Sequence, residues 1–313
     1  MKTFAAIAVG AAVVVNTVDA FWDNGHMLVG EVASQLLTSD DRSTIQYVLN
    51  KWEDDFPNTN TTATAAIWPD LIKCSKTSAS CATPVLPSLT QMEKWHFVNL
   101  PLNINGTKWG GQEPDLTLFE SSFGGNALDV LEKSMTTFAT TKSNWAANLV
   151  LRNLIHIGGN LYKFTTPCKN TNLHALWDAS GGEYLNNWSP DTTAIQGALT
   201  ANATALINAL PADADTLNFE DYKNLSYSDF VSNVTGKSLY HRMILESYKL
   251  STDEVYPRLN LTYNAEGFVA CPSQEYFDFA KTTMKTRIAI AGKRLSVVLT
   301  QLARQLRVLG LSN

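Results

Sequence analysis

Histidine is scarce in this chain: five in 313 residues. Imidazole is the commonest metal ligand, so His-rich tracts are excluded and the place of each His carries information. Cysteine is rarer still, with four. Cys74, Cys81, Cys168 and Cys271 contain no C-x-x-C pair, which argues against a zinc knuckle and for disulfides. Charge is thin, at 17% charged residues and a net charge of -5. That balance excludes a protein that grips nucleic acid by broad phosphate neutralisation, but leaves room for phosphate contact through bound metal. Low-complexity segments and internal repeats are missing, and the longest apolar run, Phe4 to Val15, is too short to span a membrane.

That run has a purpose of its own. Lys2 precedes it and the small-residue end Val18-Asp19-Ala20 follows, the pattern of a cleaved secretory signal over residues 1–20. The mature chain is read as 21–313, one soluble, exported, monomeric domain with 45% hydrophobic residues for its core. Export makes disulfides available: Cys74 with Cys81 would close a small loop, and Cys168 with Cys271 would tie the middle of the chain to its C-terminal region. Sequons begin at Asn60, Asn105, Asn187, Asn202, Asn224, Asn233 and Asn260 and suit a glycosylated surface. Cleavage also frees the amine of Phe21. That amine, a backbone carbonyl and the His26 imidazole lie close enough in sequence to grip one cation.

Periodicity is helical wherever it is readable. Leu28, Val29, Val32, Ala33, Leu36 and Leu37 recur at three and four residues, and after Ser39-Asp40 the pattern resumes at Ile45, Val48, Leu49 and Trp52. Trp145, Ala146, Leu149, Val150, Leu154 and Ile155 mark another helix. Tyr276 to Leu309 reads as one long helix with Ile288, Ala291, Leu295, Val298 and Leu302 inward. Leu86 to Leu118, rich in Pro, Gly and Asn, reads as loop. An all-α or mostly α fold is expected.

Four histidines stand beside other potential ligands. His26 lies near the new N-terminus, His96 in Lys94-Trp95-His96-Phe97, His156 late in an apolar helix, and His174 four residues before Asp178. The last spacing puts imidazole and carboxylate on one helix face, able to meet one ion. Each also has a plain reading: a core His with a hydrogen bond, a surface His/Asp contact, or, for Asp70 in Ala66-Ile67-Trp68-Pro69-Asp70, a charge at a helix terminus. His241, in Tyr240-His241-Arg242, reads as a helix-surface or partly buried residue.

Order along the chain favours the functional reading. Amine and His at the start, an A-x-W-x-D segment, W-H-F, a His ending an apolar helix, and N-L-H-x-x-W-D together resemble the zinc-dependent single-strand nuclease and 3'-nucleotidase family, from Phe21 to the final helix. The resemblance implies one mainly helical domain with three zinc ions in a cleft, hydrolysing phosphodiesters of single-stranded DNA and RNA and 3'-nucleotides. It implies that Asp70, His96 and His156 hold a first zinc, His174 and Asp178 a second, and the Phe21 amine and carbonyl with His26 a third. Asp70 would also orient the attacking water. Lys73 stands where the family has a basic residue beside the phosphate, Phe97 matches an aromatic on which an unpaired base stacks, and Asn99 replaces an acidic residue that reads the base edge. Lys73 as a solvated surface residue and Phe97 as a core residue are the alternatives. Relatives usually begin with Trp where this chain has Phe21; main-chain ligation tolerates the change.

One departure matters. Relatives continue from the third-motif His as H-x-x-G-D-x-x-Q-P-L-H, then a loop, then G-G-N; this chain reads His156-Ile157-Gly158-Gly159-Asn160. Pairing Gly158-Gly159-Asn160 with the downstream G-G-N keeps the Asn172-Leu173-His174 motif in register. The segment carrying the bridging Asp and one second-zinc His is then deleted. Two functions stay open: a secreted zinc nuclease impaired by that loss, and a noncatalytic secreted glycoprotein that keeps the scaffold and one zinc.

Overall fold

The computed structural model describes residues 24–71, 127–153, 163–169, 172–184, 191–235 and 239–312. Within them the chain is mainly helical: α1 (Asn24–Leu36), α2 (Ser39–Asn50), α3 (Thr62–Ala65), α4 (Trp68–Leu71), α5 (Ala127–Thr140), α6 (Asn144–Asn153), α7 (Leu173–Asp178), α8 (Gln196–Ala209), α9 (Tyr227–Val234), α10 (Leu239–Leu250) and α11 (Gln274–Val308). Among the described residues the only β pairing is the isolated bridges Lys163 to Asn172 and Phe164 to Val269. Polar side chains satisfy the exposed amides that begin several helices. Thr38 accepts from Asp41 N, Ser226 from Asp229 N and Ser273 from Tyr276 N, while Thr61 and Thr64 form a reciprocal capping box.

α11 organises the rest. Its 35 residues extend about 52 Å at 1.5 Å per residue and enter three buried clusters in turn. Tyr276, Phe277 and Ala280 pack with Phe164, Leu173, Leu176 and Val269. Ile288 and Ala289 join Met27, Leu28, Val32, Ile67, Trp68 and Leu71. Leu295, Val298, Leu299, Leu302 and Leu306 join α2, α5, α6 and α9. The inward stripe read from sequence is too narrow: every residue from Arg294 to Ala303 is buried, because helices close over α11 from all sides. Its buried polar groups are answered. Gln301 Nε2 donates to the carbonyls of Tyr222, Lys223 and Leu225 at 3.0, 2.9 and 3.1 Å. Close crossings use glycine. A Cβ on Gly292 would lie 2.4 Å from Val32 Cγ1, and one on Gly30 only 2.6 Å from the Thr62 carbonyl oxygen, so α1 rests directly on α11 and α3.

The face of α6 differs from the sequence expectation. Trp145 is 49% exposed, whereas Ala147, Asn148 and Leu151 are buried. Asn148 is at home in the inner position because its Nδ2 donates to Val48 O at 2.7 Å, a carbonyl near the end of α2 that also accepts from Lys51 N.

Candidate metal centre

α1 carries His26 on its half-buried side, between buried Gly25 and Met27. Met27 and Leu28 share a buried cluster with Trp68 and Leu71 of α4, the four-residue helix that contains Asp70. Trp68 is fully buried and meets Phe56 edge to face, with centroids 5.3 Å apart. The W of the A-x-W-x-D segment is therefore the anchor that fixes the helix on which Asp70 stands. α4 in turn packs on α6, the helix ahead of His156.

The N-L-H-x-x-W-D motif decomposes residue by residue. Asn172 caps α7, its Oδ1 accepting from Ala175 N at 2.7 Å. Leu173 and Leu176 enter the core. Trp177 turns toward α11, donating from Nε1 to the Tyr276 hydroxyl at 3.1 Å and touching Phe279 edge to face. His174 is half-buried on this helix, and Asp178 closes it one turn later. α7 contacts both α1 and α11.

The chain then makes an unusual turn. Ser180, Gly181 and Gly182 all have positive φ, at 51°, 67° and 87°, a costly conformation for Ser and an easy one for Gly. Gly181 is required there, since a Cβ would lie 2.3 Å from Phe277 O and 2.7 Å from Lys281 N. Glu183 holds Lys281 and Lys285, two lysines one turn apart on α11, with Lys285 Nζ at 2.6 Å. Burial raises the Glu183 pKa, but hydrogen bonds and charge from both lysines outweigh it and hold the carboxyl below its ordinary range. Burial, helped by the Glu183 charge, pushes the Tyr184 phenol up to about 12. The Tyr184 carbonyl accepts a hydrogen bond from Asn24 Nδ2, joining the end of the turn to the first residue of α1.

The structure thus gathers the helices of His26, Asp70, His174 and Asp178 around α11. Phe21, Lys73, Cys74, Cys81, His96, Phe97, Asn99, Asn105, His156, Asn187 and the loop expected over Leu86 to Leu118 lie outside the described residues, as do the side chains of Asp70 and Asp178. Among the described residues no three His, Cys, Asp or Glu side chains converge. Cys168 and Cys271 are joined by a disulfide. No helix among the described residues is long and apolar enough to cross a membrane. Sequence reading overlooked Asn24 and Glu183. Their signal was weak, an Asn opening a helix two residues before a His and a Glu after paired glycines.

The family model described as S1/P1 Nuclease matches residues 21–157 and 151–304. A match of that extent makes this mainly helical chain a member of the S1/P1 nuclease family, whose members are zinc-dependent nucleases. The two matched segments overlap at residues 151–157. No curated protein matches the chain.

Proposed function

We propose that this protein is a secreted zinc-dependent endonuclease and 3'-nucleotidase acting on phosphoester bonds of single-stranded DNA and RNA, impaired by loss of two metal ligands. The observation that carries the nuclease reading is the family match over residues 21–157 and 151–304; the impairment is inferred from the sequence that follows His156. In this reading Asp70, His96 and His156 hold one zinc, His174 and Asp178 belong to a second site, and the Phe21 amine and carbonyl with His26 form a third. The donor chemistry fits zinc, which favours imidazole and carboxylate. His26 and His174 are half-buried on helices in mutual contact, and Asn24 Oδ1 is a buried acceptor without a partner among the described residues.

Bound zinc supplies acidified water and positive charge for phosphoryl oxygens. The chain's own groups do the rest. Asp70 orients the attacking water, Lys73 stands beside the phosphate, and Phe97 stacks a base, which selects single strands because a paired base offers no free face. Asn99, neutral where relatives are acidic, alters the reading of the base edge. Export is supported by the leader over residues 1–20 and by the Cys168 to Cys271 disulfide.

Loss of even an outer partner of a metal ligand costs about 10- to 100-fold in affinity or activity, so loss of two direct ligands costs more. Elemental analysis of the secreted protein should find about one tightly held zinc where intact relatives hold about three, and single-strand cleavage far below theirs. Inserting the D-x-x-Q-P-L-H segment after His156 should raise both. A full zinc complement with full activity would refute the impairment; neither zinc nor cleavage would support the alternative, a noncatalytic glycoprotein on the same scaffold.

A further inference from the structure

The turn after α7 is fastened on two sides. On one, Gly181 lies against the α11 backbone and Glu183 binds Lys281 and Lys285. On the other, the Tyr184 carbonyl receives the Asn24 amide. Within the turn, Gly181 N bonds to Leu176 O at 2.9 Å and Tyr184 N to Ala179 O at 3.1 Å, so the turn moves with α7 as one piece. Asn24 is 3% exposed and stands two residues before His26, in the first turn of α1. A short polar side chain thus bridges the segment bearing His174 and Asp178 to the one bearing His26, across 160 residues of sequence.

From this we infer that Asn24 is a positioning residue: it fixes the N-terminal helix, and with it His26, against α7, setting the spacing between two neighbouring metal sites. The inference rests on the zinc reading above. A chain short of two ligands depends more heavily on such a bond, because fewer metal contacts remain to define the geometry. The buried Nδ2 has a carbonyl to meet, and an apolar replacement would remove that hydrogen bond and let the two segments drift. Glu183 acts on the same turn from the α11 side, so its removal should loosen the same spacing while sparing the Asn24 bond.

The test follows zinc titration of the full mature protein through the imidazole resonances of 15N-histidine-labelled material, with His26 and His174 assigned by substitution. In Asn24→Ala, half-saturation of the His26 response should need about 10- to 100-fold more zinc than in the parent. Glu183→Ala should shift it the same way by less, and decides the matter if Asn24→Ala fails to fold. Asp41→Asn, which breaks the ion pair with Arg307 near the other end of α11, is the control for general loss of stability and should leave the zinc response in place. Parent-like titration of the Asn24 and Glu183 variants, or an equal shift in Asp41→Asn, would overturn the positioning role while leaving the zinc reading intact. Silence of both imidazoles in the parent protein would overturn the zinc reading and this inference with it.

Discussion

At the scale of single residues, a motif letter has meaning only once its neighbours are placed. In N-L-H-x-x-W-D, the cap, the core leucine and the tryptophan face are structural, and the metal proposal draws on His174 and Asp178. The sequons divide in the same way. Asn224 and Asn260 are exposed outside α-helices, whereas Asn202 lies within α8 and Asn233 within α9, where Asn233 Nδ2 donates to Asp229 O at 2.7 Å. N-glycans are characteristic of surface loops, and a helical Asn whose amide is engaged presents itself poorly. Peptide mapping after enzymatic deglycosylation should find Asn224 and Asn260 modified and Asn202 and Asn233 largely unmodified; the reverse pattern would mean that folding follows glycan addition at those sites. Exposure of this kind was beyond the sequence, since a sequon reads identically on a loop and on a helix.

At the scale of elements, helix positions were legible and helix faces less so. α1 and α2 follow the apolar spacing, because a helix with one buried stripe writes that stripe in its sequence; α11 does not do so from Arg294 to Ala303, where every residue is buried. α6 misled, because Asn148 occupies its inner face and Trp145 its outer one, a choice made by the carbonyl of Val48. α11 hides a stronger case. Arg294, 3% exposed, donates to Asp215 Oδ1 at 2.9 and 2.6 Å and to Glu246 at 2.8 and 3.2 Å, while Asp215 also accepts from the amides of Leu217 and Phe219. Removing the cation strands a buried carboxylate, so Arg294→Met should cost about 3 to 5 kcal/mol, read as a lower urea midpoint. Glu246 adds a pH signature. Burial pushes its carboxyl up, but Arg294 and Arg287 outweigh that and hold it at about 2, against an ordinary 4.5. A depressed folded pKa contributes stability above 4.5 that is lost as pH falls toward 2. Glu246→Gln should flatten the decline over that window, and an unchanged slope would assign the acid loss to other carboxylates.

At the scale of the molecule, the candidate centre sits where clusters of unequal security meet. His26 and Asp70 stand on helices whose neighbours share a large core with α8 and α11. α7 belongs instead to the smallest of the three clusters among the described residues, Phe164, Leu173, Leu176, Val269, Tyr276, Phe277 and Ala280, with Cys168 and Cys271 packed against it. That cluster is bordered by the disulfide, which joins positions 103 residues apart; a disulfide typically contributes about 2 to 4 kcal/mol. Replacing both cysteines by alanine should therefore lower global stability by that order and act first on α7. Hydrogen exchange is the measurement: amides of 173–184 should lose protection in the double variant while those of α2 and α11 beyond Arg294 keep theirs, because local openings follow the contacts that close them. Since α7 carries His174 and Asp178, zinc should restore part of that protection by binding the ordered form. A uniform loss across the chain would show instead that the three clusters open together, and that α7 has no weaker hold than the helices around it.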